Sequence, residues 1–116
     1  MTSSFYQISE KSGINIISIL RGDITMEESE KLSREHAALV NAGKKDFILD
    51  LSEADFICTI VIACMIVMYK GSKDSGGRLV VCGAKNGVKK VLEMIKLDKV
   101  FEIHGTKQDA IRKMTQ

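Results

Sequence analysis

A chain of 116 residues is the length of one domain, and at that size roughly two-thirds of the unfolded surface is buried, enough for one core. With 45% hydrophobic and 28% charged residues, disorder along the whole chain is excluded. A formal net charge of +2 with scattered Lys and Arg, four Phe, two Tyr and no Trp argues against a nucleic-acid platform.

The segment 3–13, SSFYQISEKSG, alternates weakly and ends in Ser12-Gly13, so it reads as an edge strand leading into a turn. INIISILRGDI (14–24) follows as the second arm of a hairpin. Ile14, Ile16, Ser18 and Leu20 share one face, and Asn15, Ile17, Ile19 and Arg21 the other. Gly22-Asp23 leaves the sheet. Thr25 with Glu28 three residues on is a capping-box pattern, which predicts a helix over 26–43 with Gly43 at its end. KKDFILDLSE (44–53) is a more central strand, with Phe47, Leu49 and Leu51 on one face and Ile48 and Asp50 on the other.

DFICTIVIACMIVMYK (55–70) carries ten consecutive apolar residues, 60–69. That is short of the roughly 18 needed to cross a membrane, so it reads as a sheet-packing helix. Its core-facing residues are expected to be Ile62, Met65, Ile66 and Tyr69, with Thr59 as N-cap and Asp55 as a rival cap. Ile60, Val61 and Val67, with Cys64 and Met68, are then left over, for deeper burial or for an exposed contact surface. After the polar KGSKDSGG (70–77), RLVVCGA (78–84) is a buried strand. A helical period follows at Val88, Val91, Leu92 and Ile95, then a short strand VFEI (100–103) and a terminal helix capped by Thr106. The order ββαβαβαβα demands an α/β fold: about five strands in a mixed, mostly parallel sheet with an opening hairpin, packed with about four helices.

Cys58, Cys64 and Cys82 form no C-x-x-C pair, and only His36 and His104 could join them, so neither a metal nor another cofactor is expected. His36 is expected to be solvated and His104 to lie in a loop. The start MTSSFYQISEK lacks the basic and apolar regions of a secretory leader. With the odd thiol count, this predicts a cytoplasmic protein with reduced cysteines.

Four stretches resemble the STAS domain, and in length the stand-alone anti-sigma factor antagonists of bacteria: RGDI (21–24), FILDLSEADFI (47–57), GGRLVVCGAKNGVKKVLEMIKLDKVFEI (76–103) and TKQDAI (106–111). The resemblance covers nearly the whole chain and implies one STAS-like domain over 1–116, regulating transcription by binding rather than catalysis. It also implies a partner that is an anti-sigma factor or a kinase-like ATPase. Such a kinase phosphorylates the third residue of an Asp-Ser-Ser-Gly or Asp-Ser-Thr-Gly motif at a helix start, and the antagonist then lets go. Counted from LDLS (49–52), that motif falls on Cys58-Thr59-Ile60-Val61. Cys58 replaces the Asp, Thr59 matches the first hydroxyl residue and is the weaker, displaced candidate for phosphorylation, Ile60 occupies the acceptor slot itself and cannot be phosphorylated, and Val61 replaces the Gly. Thr25 stands where the family usually has Asp. The degenerate motif implies a module blind to serine phosphorylation, with Asp23, Thr25, Cys58, Thr59, Ile60 and Val61 as partner-binding residues. Three alternatives follow: an adaptor subunit of a transporter or larger signalling complex, a module that self-associates through the 59–69 helix, and a redox sensor built on Cys58.

Overall fold

A computed structural model describes residues 5–116, so the first two positions of the expected edge strand lie outside the described residues. The strands are β1 (Tyr6–Lys11), β2 (Ile14–Ile19), β3 (Asp46–Asp50), β4 (Arg78–Cys82) and β5 (Ile103–His104). The helices are α1 (Met26–Asn41), α2 (Thr59–Asp74), α3 (Asn86–Met94) and α4 (Lys107–Met114), with a 3-10 turn at Leu97–Lys99. The strands lie in sequence order in one sheet. β1 and β2 are antiparallel, and β2 through β5 run parallel. This is the α/β order ββαβαβαβα that the pattern predicts.

Strand alternation sorts the side chains to two sides. Ile17, Ile19, Phe47, Leu49, Leu79 and Val81 point into the larger core, where Leu32 of α1, Met65 and Met68 of α2, and Val88 and Leu92 of α3 cover them. Ile14, Ile16, Ile48, Val80 and Cys82 point the other way, onto Ala110 of α4. The sheet is therefore sandwiched, with three helices on one face and the short α4 on the other. Because the crossovers return to parallel strands, α1 and α2 both begin at the carboxyl ends of β2 and β3 and run side by side.

The capping box at Thr25 is present: its Oγ1 accepts from the Glu28 N–H at 3.1 Å, and Glu28 Oε1 accepts from the Thr25 N–H at 2.9 Å. Thr106 caps α4 with its side chain alone, accepting from the Asp109 N–H at 3.1 Å. Gly43, one residue past the α1 C-cap, takes φ +93°. The final strand is shorter than expected. Val100 and Phe101 form a turn, Val100 exposed and Phe101 buried, and only Ile103 and His104 pair with β4. His104 is thus a strand residue, hydrogen-bonded to Glu102 at 2.6 Å.

His36 is not solvated. It is 3% exposed, its ring lies 4.6 Å from that of Phe47, and its Nε2 is 2.8 Å from Ser72 Oγ on α2. The residues just before it, Arg34 and Glu35, are charged, but its own position faces α2. Among the described residues no helix is long and apolar enough to cross a membrane.

Candidate functional site

The loop after β2 and the start of α2 meet at the carboxyl edge of the sheet. The contact is made by backbone. The Cys58 N–H donates to the Gly22 carbonyl at 2.8 Å, and Cys58 Sγ lies 4.0 Å from the Ile24 carbonyl. Gly22 is required by this approach, because a Cβ there would lie 1.6 Å from the Phe56 carbonyl oxygen. Arg21 ties the same loop to α1. Its guanidinium donates to both Glu28 oxygens, at 2.9 and 2.7 Å, and to the Asp23 carbonyl at 3.0 Å. The hydrogen bond from the Thr25 N–H and this guanidinium hold the Glu28 carboxyl below its ordinary pKa.

Of the sequence-predicted residues, Asp23, Thr25 and Thr59 are exposed, and Cys58 and Ile60 are half-buried. Val61 is not part of the surface. It is 1% exposed and packs into the core, so it cannot touch a partner directly. The reason lies in the rotation of α2. Its buried arc is Val61, Cys64, Met65, Met68 and Ser72, because the helix packs on α1 as well as on the sheet. Ile66, expected inside, is instead 43% exposed, while Ile62 and Tyr69 sit half-buried on the far shoulder. Burial of Val61, Met65 and Met68 stabilises this orientation by about 1.5–3 kcal/mol each.

The helix cap also differs from expectation. Cys58 is the N-cap, with extended backbone and no side-chain cap bond, and Thr59 is the first helical residue. The Gly22 carbonyl fixes the Cys58 N–H and so sets where the helix begins. Asp55 is engaged elsewhere, by Lys85 Nζ at 2.6 Å, which draws its carboxyl pKa down. Burial resists ionisation of the Cys58 thiol. The backbone groups of Ile24, Val61, Ile60 and Cys58 itself outweigh that burial and bring its pKa below the ordinary thiol value. Among the described residues no group of three or more His, Cys, Asp or Glu is arranged to hold a metal ion.

Beside the junction, α1 and α2 leave a groove that the sequence alone did not reveal. Its floor is small: Ser29, Ser33, Ala63 and Cys64, with Cys64 Sγ 3.5 Å from Ser33 Oγ and 3.6 Å from the Ser29 carbonyl. Met26 and Ile60 stand at one end and Val67 toward the other, with Glu30 and Arg34 on the α1 rim. The signal for it is the run of small residues on the same side of two adjacent helices, which becomes a groove only once their register is known.

Comparison with known proteins gives a consistent family. A model of the STAS domain matches residues 6–110. BtrV of Bordetella bronchiseptica, a protein named as an anti-sigma factor antagonist, is 27% identical over 95 residues, 82% of each chain. The crystal structure of TM1081 from Thermotoga maritima, likewise named as an anti-sigma factor antagonist, superposes with a TM-score of 0.86 at 18% identity, covering 97% of both chains. Unphosphorylated SpoIIAA, another protein of that name, superposes with a TM-score of 0.81 at 14% identity, covering 95% of this chain and 96% of its own.

Proposed function

Because the chain belongs to the STAS domain family, we propose that it is a non-enzymatic regulator of the anti-sigma factor antagonist kind, working in the bacterial cytoplasm by binding an anti-sigma factor or kinase-like ATPase without a serine switch. The observation that carries this reading is Ile60. It stands second in α2, half-buried beside exposed Thr59, at the slot where the family pattern puts its phosphorylated hydroxyl. An isoleucine cannot accept phosphate. In a switchable relative the phosphate adds about −1.5 to −2 charges and three acceptor oxygens at the contact point. Here the same point offers branched carbon.

The contact surface on this reading is Asp23 and Thr25 from the loop after β2, with Cys58, Thr59 and Ile60 from the start of α2. The Gly22–Cys58 hydrogen bond holds the two segments together. Thr59 does not substitute for the missing acceptor, because a neighbouring helical position points about 100° away.

The test is titration calorimetry against the purified anti-sigma factor of the same organism, before and after incubation with ATP, with intact mass recorded. The expected result is binding that ATP leaves unchanged and no phosphate on the antagonist, whereas Ile60→Ser gains one phosphate and loses affinity. A parent chain that acquires phosphate at Thr59 and dissociates would falsify the claim that the switch is lost.

A further inference from the structure

The outward face of α2 is apolar for its whole upper half. Ile66 is 43% and Val67 57% exposed, Ala63 is exposed, and Ile60 is half-buried. Met26, 60% exposed on α1, extends the patch across the groove. Alongside it, α1 carries a charge order. Glu27 and Glu30 come first, then Lys31 and Arg34. Among the described residues none of these four has an ion-pair partner. A continuous apolar face of this kind on a small domain marks an interface. A charge order that reverses along the helix is complementary to its own antiparallel copy.

The register agrees. Cys64 reaches both Ser29 and Ser33, so the centre of the α2 patch, at 63–64, lies level with 30–31 on α1. A two-fold axis lying in this surface at that level would set each helix antiparallel to its counterpart. Ile60 then faces Val67 of the second copy, with small Ala63 at the crossing to allow close approach. On α1 the same axis brings Glu27 level with Arg34 of the second copy, twice over. One operation thus covers the apolar face and pairs Glu27 and Arg34 of each chain.

We propose that this face pairs with a second copy of the chain, and that the pairing competes with the regulatory partner for Ile60. The competition rests on the partner-binding reading above; the pairing does not. Self-association then takes the place of phosphorylation as the control, since a dimer buries the residue that a partner would touch.

Sedimentation velocity over a concentration series tests the pairing on the full chain. The parent is expected to dimerise with a Kd of about 10–100 µM. Ala63→Arg, at an exposed position that leaves the fold intact by circular dichroism, raises that Kd at least about tenfold. Glu27→Arg and Arg34→Glu each weaken the homodimer, and mixing the two variants restores a heterodimer. A parent monomeric to about 1 mM overturns the pairing and leaves the groove to a foreign helix. A dimer indifferent to Ala63→Arg, or a mixture that does not recover, also overturns it. In the partner titration, Ala63→Arg is expected to bind more tightly than the parent when both are at concentrations where the parent is dimeric. Equal affinities overturn the competition. Absence of partner binding by either protein removes the regulatory reading and leaves the dimer standing.

Discussion

Replacing Gly22 by alanine tests the junction on which the candidate site depends. An added Cβ would meet the Phe56 carbonyl oxygen at 1.6 Å and its carbon at 2.5 Å, with the Ile57 Cα at 3.3 Å behind them. All three are backbone atoms, so no side chain can swing aside. Restoring a 3.0 Å separation requires a shift of at least about 1.4 Å, which also pulls the Cys58 N–H off the Gly22 carbonyl it bonds at 2.8 Å. Overpacking of this kind costs about 1–3 kcal/mol. An N–H left without its acceptor adds about 1–3 kcal/mol. Together they predict a loss of about 2–6 kcal/mol. For a chain of this length each kcal/mol moves Tm by about 4 °C, so the variant melts about 8–24 °C lower. Gly43→Ala is the control. Its φ is +93° but nothing lies within 4 Å of the new Cβ, so only the left-handed backbone penalty of about 1–2 kcal/mol applies. Urea melts of the three proteins decide the matter. If Gly22→Ala unfolds within about 0.5 kcal/mol of the parent, the two segments are not locked by this contact and the site is not preformed.

Three further outcomes follow from buried or perturbed groups. Burial lowers the His36 pKa from 6.5 to about 4, so its contribution to stability is complete above pH 6.5 and is lost as the pH falls toward 4. By linkage the parent loses about 2 kcal/mol between pH 6.5 and 5 that His36→Gln does not lose, and an NMR titration that finds the ring midpoint near 6.5 contradicts this. Asn15 is 4% exposed and its Nδ2 has no partner among the described residues, so Asn15→Leu is expected to raise stability by about 1 kcal/mol in a urea melt, and a destabilised variant counts against the orphaned amide. Burial raises the Cys64 thiol, and burial with nearby Asp50 pushes Cys82 up to about 12, whereas Cys58 is lowered. One equivalent of a charged disulfide reagent near pH 8 should therefore label Cys58 first, as peptide mapping would show, and equal labelling of all three thiols refutes the assignment.

Where hydrophobic periodicity was clean, the sequence was a sufficient guide. Alternation over 14–21 and 44–51 sorts residues to the two faces of the sheet as the structure does, and Thr25 with Glu28 marks the start of α1. α2 defeats this reasoning for a physical reason. Ten consecutive apolar residues carry no 3.6-residue signal, so nothing in the segment says which arc faces inward, and Val61 and Ile66 exchange their expected places. The rotation is set instead by packing against α1 as well as the sheet, which buries Val61, Met65 and Met68 and brings Cys64 against Ser29 and Ser33. The cap of α2 is likewise set by a distant backbone carbonyl, that of Gly22, and no local preference of Thr59 or Asp55 competes with it. His36 is buried despite the charged Arg34 and Glu35 before it, because charge next to a helical residue in sequence says little about which face of the helix that residue occupies.

On the proposed reading, with Ile60 in the acceptor slot, the rotation of α2 decides what an apolar residue there does. Val61 goes inward and helps hold the helix, which leaves Ile60 as the branched side chain at the proposed contact. On the proposed reading its surroundings divide into a polar side, Thr59 and Thr25, and an apolar side, Ala63 and Val67 across the groove from Met26. A phosphate in that slot would act on both sides at once, repelling any apolar surface placed over it. Ile60 does the reverse. It lowers the cost of covering the apolar side, so the surface becomes selective for whatever can also match the α1 charges. A foreign partner and a second copy differ most there, which is why the Glu27→Arg and Arg34→Glu variants separate them: self-pairing must fail in each variant alone and return on mixing, whereas binding to a foreign surface has no reason to recover when the two are combined.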